Sequence, residues 1–196
     1  MRAALLAVTL LLLSSANAFA EWQARPFLGV SFAGTTTFID LSQAAGSPNV
    51  VLGGNGALLG DVFGVEADFG WGPGYFQSGG EQLVRGNSVT TLTGNAIIAM
   101  PRHLTRYTLG PYFVAGAGLV HVHIDSNDLS NVLRVSVTLP AMDIGGGVTG
   151  FLTDKIGLNW EARYFTSVGE GKIRGLSFEP EHISFWRASM GLVLKY

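Results

Sequence analysis

The chain has 196 residues, enough for one domain, with a formal net charge of −2, 13% charged residues, 27 glycines and no cysteine. Its charged share is about half, and its glycine share about twice, what an ordinary soluble domain carries. With no basic patch, phosphate loop or nucleotide motif, nucleic-acid binding is excluded, and without cysteine there is neither a disulfide framework nor a lipid-modified N-terminal Cys.

A mean hydropathy of +0.33 points to a membrane. Yet no run of ~18 apolar residues follows the N-terminus, so a spanning helix is not expected. A closed β-barrel is the other way to satisfy every backbone polar group in lipid. Residues 1–20 read as a secretory signal peptide: Arg2 gives the positive start, 3–13 the apolar stretch, and Ala18-Phe19-Ala20 an A-x-A cleavage site, with Ala16-Asn17-Ala18 as the alternative. Cleavage leaves residues 21–196 as the expected mature domain.

Along that domain the dominant signal has a period of two, which marks strands. The first strand is expected at 25–34, with Leu28, Val30 and Phe32 on one face and Phe27, Gly29 and Ser31 on the other. A polar loop (35–49) leads to a glycine-rich second strand at 50–61, of uncertain phase. In the third, 64–72, Val65, Ala67, Phe69 and Trp71 alternate with Glu66, Asp68 and Gly70. Residues 73–87 form a second long loop. The fourth strand, 88–100, sets Leu92, Ala96, Ile98 and Met100 against Thr91, Thr93 and Asn95, and a short basic turn follows.

The fifth strand, 107–124, has two competing faces: Tyr112, Val114, Val120 and Val122, or Phe113, Ala115, Ala117 and Leu119. A bulge at Gly116 or Gly118 would switch the phase between them. After a loop at 125–134, the sixth strand (135–152) places Met142, Ile144 and Val148 opposite Asp143 and glycines. Thr153-Asp154-Lys155 is a tight turn. The seventh, 156–166, turns Ile156, Leu158, Trp160, Ala162 and Tyr164 outward, and Asn159, Glu161, Arg163 and Phe165 inward. A fourth long loop (168–180) precedes the last strand, 184–196. There Trp186, Ala188, Met190, Leu192, Leu194 and Tyr196 form an unbroken apolar face against Arg187, Ser189, Gly191 and Lys195.

Eight strands, with long connections after the odd ones and tight turns after the even ones, predict an all-β fold: an eight-stranded antiparallel up-and-down transmembrane β-barrel. On that topology both termini are expected in the periplasm and the long loops outside. Three stretches, G-V-E-A-D-F-G-W-G-P-G-Y-F (64–76), G-P-Y-F-V-A-G-A-G-L (110–119) and G-G-G-V-T-G-F-L-T-D-K-I-G-L-N-W-E-A-R-Y-F (145–165), together with the closing strand, carry a resemblance. With them the chain resembles the eight-stranded outer-membrane barrels of OmpA/OmpX type. The resemblance implies an outer-membrane location, contact with outer-membrane lipids and no resident cofactor. Ser189, Gly191, Leu194 and Tyr196 are similar to the C-terminal signal read by the barrel assembly machinery, which it implies as a partner. A peptidoglycan-binding domain of the two-domain members is not seen after the barrel.

Inward charges at Glu66, Asp68, Asp143, Glu161, Arg163, Arg187 and Lys195 are expected to pair, because isolated charges in a poorly solvated interior are costly. Such a set makes either a selectivity ring or a polar plug; eight strands leave a bore only as wide as side chains, which favours the plug. His121-Val122-His123-Ile124-Asp125-Ser126 is the one cluster resembling a site. His121 and His123 share a strand face, as metal ligands would, whereas His123 and Ser126 fall on opposite faces, against a hydrolase; a polar strand end above the membrane is the plainer reading. Two aromatic girdles are expected, Trp71, Tyr75, Phe76, Phe178 and Trp186 at the loop end and Trp22, Tyr107 and Tyr196 at the other. The function expected is non-enzymatic, exerted through a loop ligand or in membrane integrity. A narrow channel for small or apolar solutes is the alternative, and a lipid A-modifying enzyme the remote one.

If the closing strand is an assembly signal, deletion of Tyr196 or Tyr196→Asp leaves unfolded precursor in the periplasm. Immunoblots of cell fractions check this, and a normal surface level of protease-resistant barrel would contradict it.

Overall fold

Alternation across the pleat organises the strands of this chain, but with the usual faces exchanged: the outward positions are mostly apolar, and the charges lie inside. A computed structural model describes residues 20–36, 48–75, 84–101, 109–126, 134–168 and 182–196. Its elements are β1 (Glu21–Thr36), β2 (Asn49–Leu59), β3 (Phe63–Pro73), β4 (Val84–Ala99), β5 (Leu109–Ser126), β6 (Arg134–Phe151), β7 (Ile156–Ser167) and β8 (Ile183–Lys195). Each pairs antiparallel with its neighbours in the chain, and β8 returns to β1, so the sheet closes into an eight-stranded barrel. No helix among the described residues is long and apolar enough to cross a membrane.

The closing ladder runs from Gln23 opposite Lys195 to Thr36 opposite Ile183, and Tyr196 N–H donates to the Trp22 carbonyl at 2.9 Å. It carries one irregularity, between Phe32 and Thr35, where Ala33 adopts φ 50°. A non-glycine residue takes that conformation only when its surroundings hold it there. At the opposite end of the barrel, the turn after β6 is fixed by the Thr153 hydroxyl, which accepts the Ile156 N–H at 3.0 Å.

Three sequence expectations change here. β5 keeps one phase throughout: Tyr112, Val114, Val120 and Val122 face in, Phe113, Ala115, Ala117 and Leu119 face out, and the ladder to β6 runs unshifted from Leu109 to Asp125. No bulge is needed, because Gly116 and Gly118 sit inward against Asn95 and the β4 backbone, where a side chain would collide. The expected long–short alternation of connections also fails at one place. Pairing up to Asp125–Arg134 leaves only 127–133 between β5 and β6, no longer than 100–108 between β4 and β5. Finally, β4 begins at Val84, inside the stretch read as loop, where it pairs with the outer end of β5.

The interior is stratified. Toward the loop end lies an apolar cluster that includes Tyr75, Val89, Val122, Leu139, Phe165 and Phe185. Toward the turn end lies a smaller one built from Ala57, Leu59, Ile97, Tyr112 and Val114. Charged residues fill the layer between. The outer wall exposes Leu28, Phe69, Leu92, Ile144, Met190 and Leu192, an arrangement that water would not tolerate and lipid favours.

Inward glycines are what let this layer fit. A Cβ on Gly145 would run into the Ala162 carbonyl and lie 2.7 Å from Arg163 Cγ, whereas one on the outward Gly94 would meet nothing within 4 Å. Gly145→Val is therefore expected to cost ~1–3 kcal/mol through overpacking, and Gly94→Leu to stay within ~0.5 kcal/mol of the parent. Urea unfolding of the barrel in micelles measures both; equal effects would contradict the inward placement of Gly145.

Candidate functional site

The charged layer is assembled from five strands by their inward phase. β3 supplies Glu66 and Asp68, β6 Asp143, β7 Glu161 and Arg163, β8 Arg187, and β1 Arg25; all are buried. Arg163 stands directly across the β7–β8 ladder from Arg187 and across the β6–β7 ladder from Gly145. Two guanidinium groups side by side repel each other, so the carboxylates around them decide whether the layer is stable.

Arg163 is the hub. Its Nε donates to Glu161, its Nη2 donates to Glu161 Oε2 at 2.6 Å and to Glu66 Oε1 at 2.6 Å, and its Nη1 reaches Asp143 at 3.3 Å and Asp68 at 3.9 Å. Since β3 and β7 are four strands apart in a closed ring of eight, the Glu66 contact spans the full width of the lumen. Arg187 donates to Asp68 Oδ2 at 2.8 Å, and its guanidinium carbon lies 4.6 Å from the centroid of Phe27 and 4.8 Å from that of Phe165. Rings on two sides favour the cation by their quadrupoles and shield it from water.

Further groups join the shell. Tyr112 donates its hydroxyl to Glu161 Oε2 at 2.7 Å, and Asn95 donates to Glu66 at 3.2 Å. Arg25 sits 3.6 Å from Glu66 Oε2 and donates to Gln23 at 2.7 Å. A cavity of about 10 Å³ beside Thr91 and Arg187 has room for about one water, far short of a solute path. With ion pairs meeting across the bore and apolar clusters above and below, the arrangement can brace the wall and block passage.

Of the inward charges read from the sequence, Glu66, Asp68, Asp143, Glu161, Arg163 and Arg187 lie together in this layer. Lys195 does not. It sits at the turn-end rim, 23% exposed, 2.7 Å from Glu21 and over the Phe151 ring. Inward phase at the end of a strand leads to the mouth of the barrel, where water reaches the ammonium. Arg25, Asn95 and Tyr112 went unassigned to the network. Arg25 shares the parity of Phe27 and Ser31, so extending that alternation by one step would have found it.

Of the four residues expected to act as an assembly signal, Ser189 and Gly191 face in, Leu194 is half-buried, and Tyr196 is 83% exposed at the turn end. Trp71 and Trp186 face outward, but Tyr75 is no girdle residue: it is 2% exposed and packs edge-on against Phe185 inside the loop-end cluster. Tyr75 lies beyond Pro73 and after Gly74 at φ 71°, a turn that redirects the chain inward. Phe76, Tyr107 and Phe178 lie outside the described residues. His121 and His123 face outward, and the His121 ring lies across the β5–β6 ladder, 2.8 Å from the Thr138 hydroxyl. No group of three His, Cys, Asp or Glu among the described residues could hold a metal. The side chains of Asp125 and Ser126 lie outside the described residues.

Residues 6–179 match the model of a family described as the outer membrane protein beta-barrel domain. No curated protein matches the chain. Among solved structures, Neisserial surface protein A is similar at 13% identity, TM-score 0.60, over 90% of this chain and 97% of that one. The N-terminal β-barrel domain of Pseudomonas aeruginosa OprF follows at 15% identity, TM-score 0.52, over 90% and 97%. Ail, the attachment invasion locus protein of Yersinia pestis, in complex with the heparin analogue sucrose octasulfate, gives 10% identity, TM-score 0.51, over 89% and 99%. At such identities the likeness speaks for the fold alone.

Arg163→Met strands several carboxylates in the lumen and is expected to cost ~3–5 kcal/mol, less whatever water relieves. In the double variant Glu161→Gln/Arg163→Met one of those carboxylates is gone, so its cost should fall below the sum of the single changes by ~0.5–3 kcal/mol. Denaturant unfolding in micelles measures the cycle; strict additivity would mean the two side chains do not interact.

Proposed function

The chain belongs to the outer membrane protein β-barrel domain family, and from that premise we propose that it is a non-enzymatic integral barrel of the outer membrane. It acts at its loop end, by binding an extracellular ligand or in adhesion, or through its contribution to membrane integrity. The observation that carries this reading is the closed lumen. The Arg163–Glu66 pair joins opposite walls at 2.6 Å, and apolar clusters close the bore on both sides of it. A barrel that passes nothing through its centre has its outer wall, its rims and its loops left to work with. Ail, an attachment invasion locus protein of similar fold, is itself seen in complex with a heparin analogue.

Both termini lie in the periplasm on this reading, with the 37–47, 76–83, 127–133 and 169–181 segments outside. Tags at Ser47, Gly80, Asn127 and Gly171 are then labelled on intact cells and a tag at Asp154 is not; the reverse pattern would overturn the orientation. In planar bilayers the purified barrel is expected to give no steady unitary conductance. A reproducible ohmic current would favour the narrow-channel alternative, and altered lipid A masses in cells that differ only in this protein would favour an enzyme.

A further inference from the structure

The outer wall of β4, β5 and β6 changes chemistry at one level. Leu92, Leu119 and Pro140 are successive partners across the two ladders, and all three face out. The next outward row toward the loops is Thr90–His121–Thr138, and the row beyond it is Ser88–His123–Ser136. Apolar surface thus gives way, within two residues on each strand, to a grid of hydroxyl and imidazole groups. All six are at least partly exposed.

The grid is ordered. His121 Nδ1 lies 2.8 Å from Thr138 Oγ1 and its Nε2 lies 3.4 Å from Ser136 Oγ, so the ring spans both rows. Hydroxyls and imidazole N–H groups donate to phosphate and sugar oxygens, and the six positions contain no carboxylate to repel an anion. β5 and β6, at 18 residues each, exceed the ~9–11 that span the apolar layer, which carries these rows past its edge.

A lipid whose chains lie along Leu92, Leu119 and Pro140 places its headgroup about two residues, ~7 Å, farther toward the loops. We propose that Ser88, Thr90, His121, His123, Ser136 and Thr138 form a ledge that binds the phosphate-bearing headgroup of an outer-leaflet lipid. This rests on the membrane placement and orientation given above. Continuity with the acyl-facing wall selects the lipid as occupant, since the group bonded to those chains is the one that arrives at this level.

Phosphatidic acid and diacylglycerol with identical chains differ only in the phosphate. With the full barrel in detergent micelles, native mass spectrometry is expected to show about tenfold preferred retention of phosphatidic acid, equivalent to one or two hydrogen bonds. The preference should vanish in His121→Ala/His123→Ala and persist in Leu192→Ala, on another part of the wall. If the double variant does not fold, Thr90→Val/Thr138→Val, near in shape to the parent, should lose the preference in its place. Equal retention of the two lipids by the parent chain, or a preference untouched by the ledge variants, would overturn the proposal. Displacement of the phosphatidic acid by millimolar inorganic phosphate would assign the site to the free anion instead. Failure of the parent barrel to insert into nanodiscs of any composition would overturn the membrane placement, and the ledge with it.

Discussion

A guanidinium on β7 and a carboxylate on β3 meet across the whole bore, Arg163 Nη2 to Glu66 Oε1 at 2.6 Å. Both are out of reach of bulk water, so neither can be left alone: an unpaired charge in such a place costs several kcal/mol, and the pair is held only where its remaining hydrogen-bonding groups are also met. Glu161, Asp143 and Asn95 meet many of them, and Tyr112 in turn donates to Glu161. The glycines of β6 then follow as a requirement, because Arg163 lies over Gly145, and Tyr112 reaches Glu161 over Gly147. A sequence that wants a large cation in a narrow barrel must empty the wall beside it.

The apolar clusters at either end have the complementary role. Phe165 and Phe185 stack with centroids 5.1 Å apart above the layer, and Phe165 also covers Arg187. Excluding water from the ends keeps the ion pairs strong and also keeps them from being exchanged for hydration. Stability and closure are therefore the same property of this barrel, which directs attention to its outer surface. There the apolar side chains give way to hydroxyls and imidazoles at a single level on three adjacent strands, where the proposed ledge lies.

Much of this was legible because a strand has a period of two and a barrel has only two sides. Glu66 and Asp68, or Glu161 and Arg163, could be assigned to one face from spacing alone, and the outward apolar set identified the solvent as lipid. What spacing lacks is height and partner. The inward phase of Lys195 was right, yet its place at the end of β8 puts it at the rim with Glu21 rather than in the layer. Tyr75 lies near the outer end of β3, where a girdle aromatic is expected, but a turn at Gly74 takes it inside. The facing of β5 was ambiguous because both of its faces are apolar. Only the neighbours decide it, through Asn95 and the β4 backbone filling the space over Gly116 and Gly118.

Closure of the lumen depends on Arg163 being locked and dry at the centre of the bore. Solution NMR of the barrel in micelles, with the arginine side-chain Nε–H resonances followed after transfer to D₂O, tests this directly. A hydrogen bonded to Glu161 inside a closed layer exchanges only when the barrel opens locally, so the Arg163 Nε–H should persist orders of magnitude longer than that of a free arginine. Exchange at the free-arginine rate, with the backbone ladders of β7 still protected, would show water reaching the layer in the folded barrel and would contradict the closed lumen.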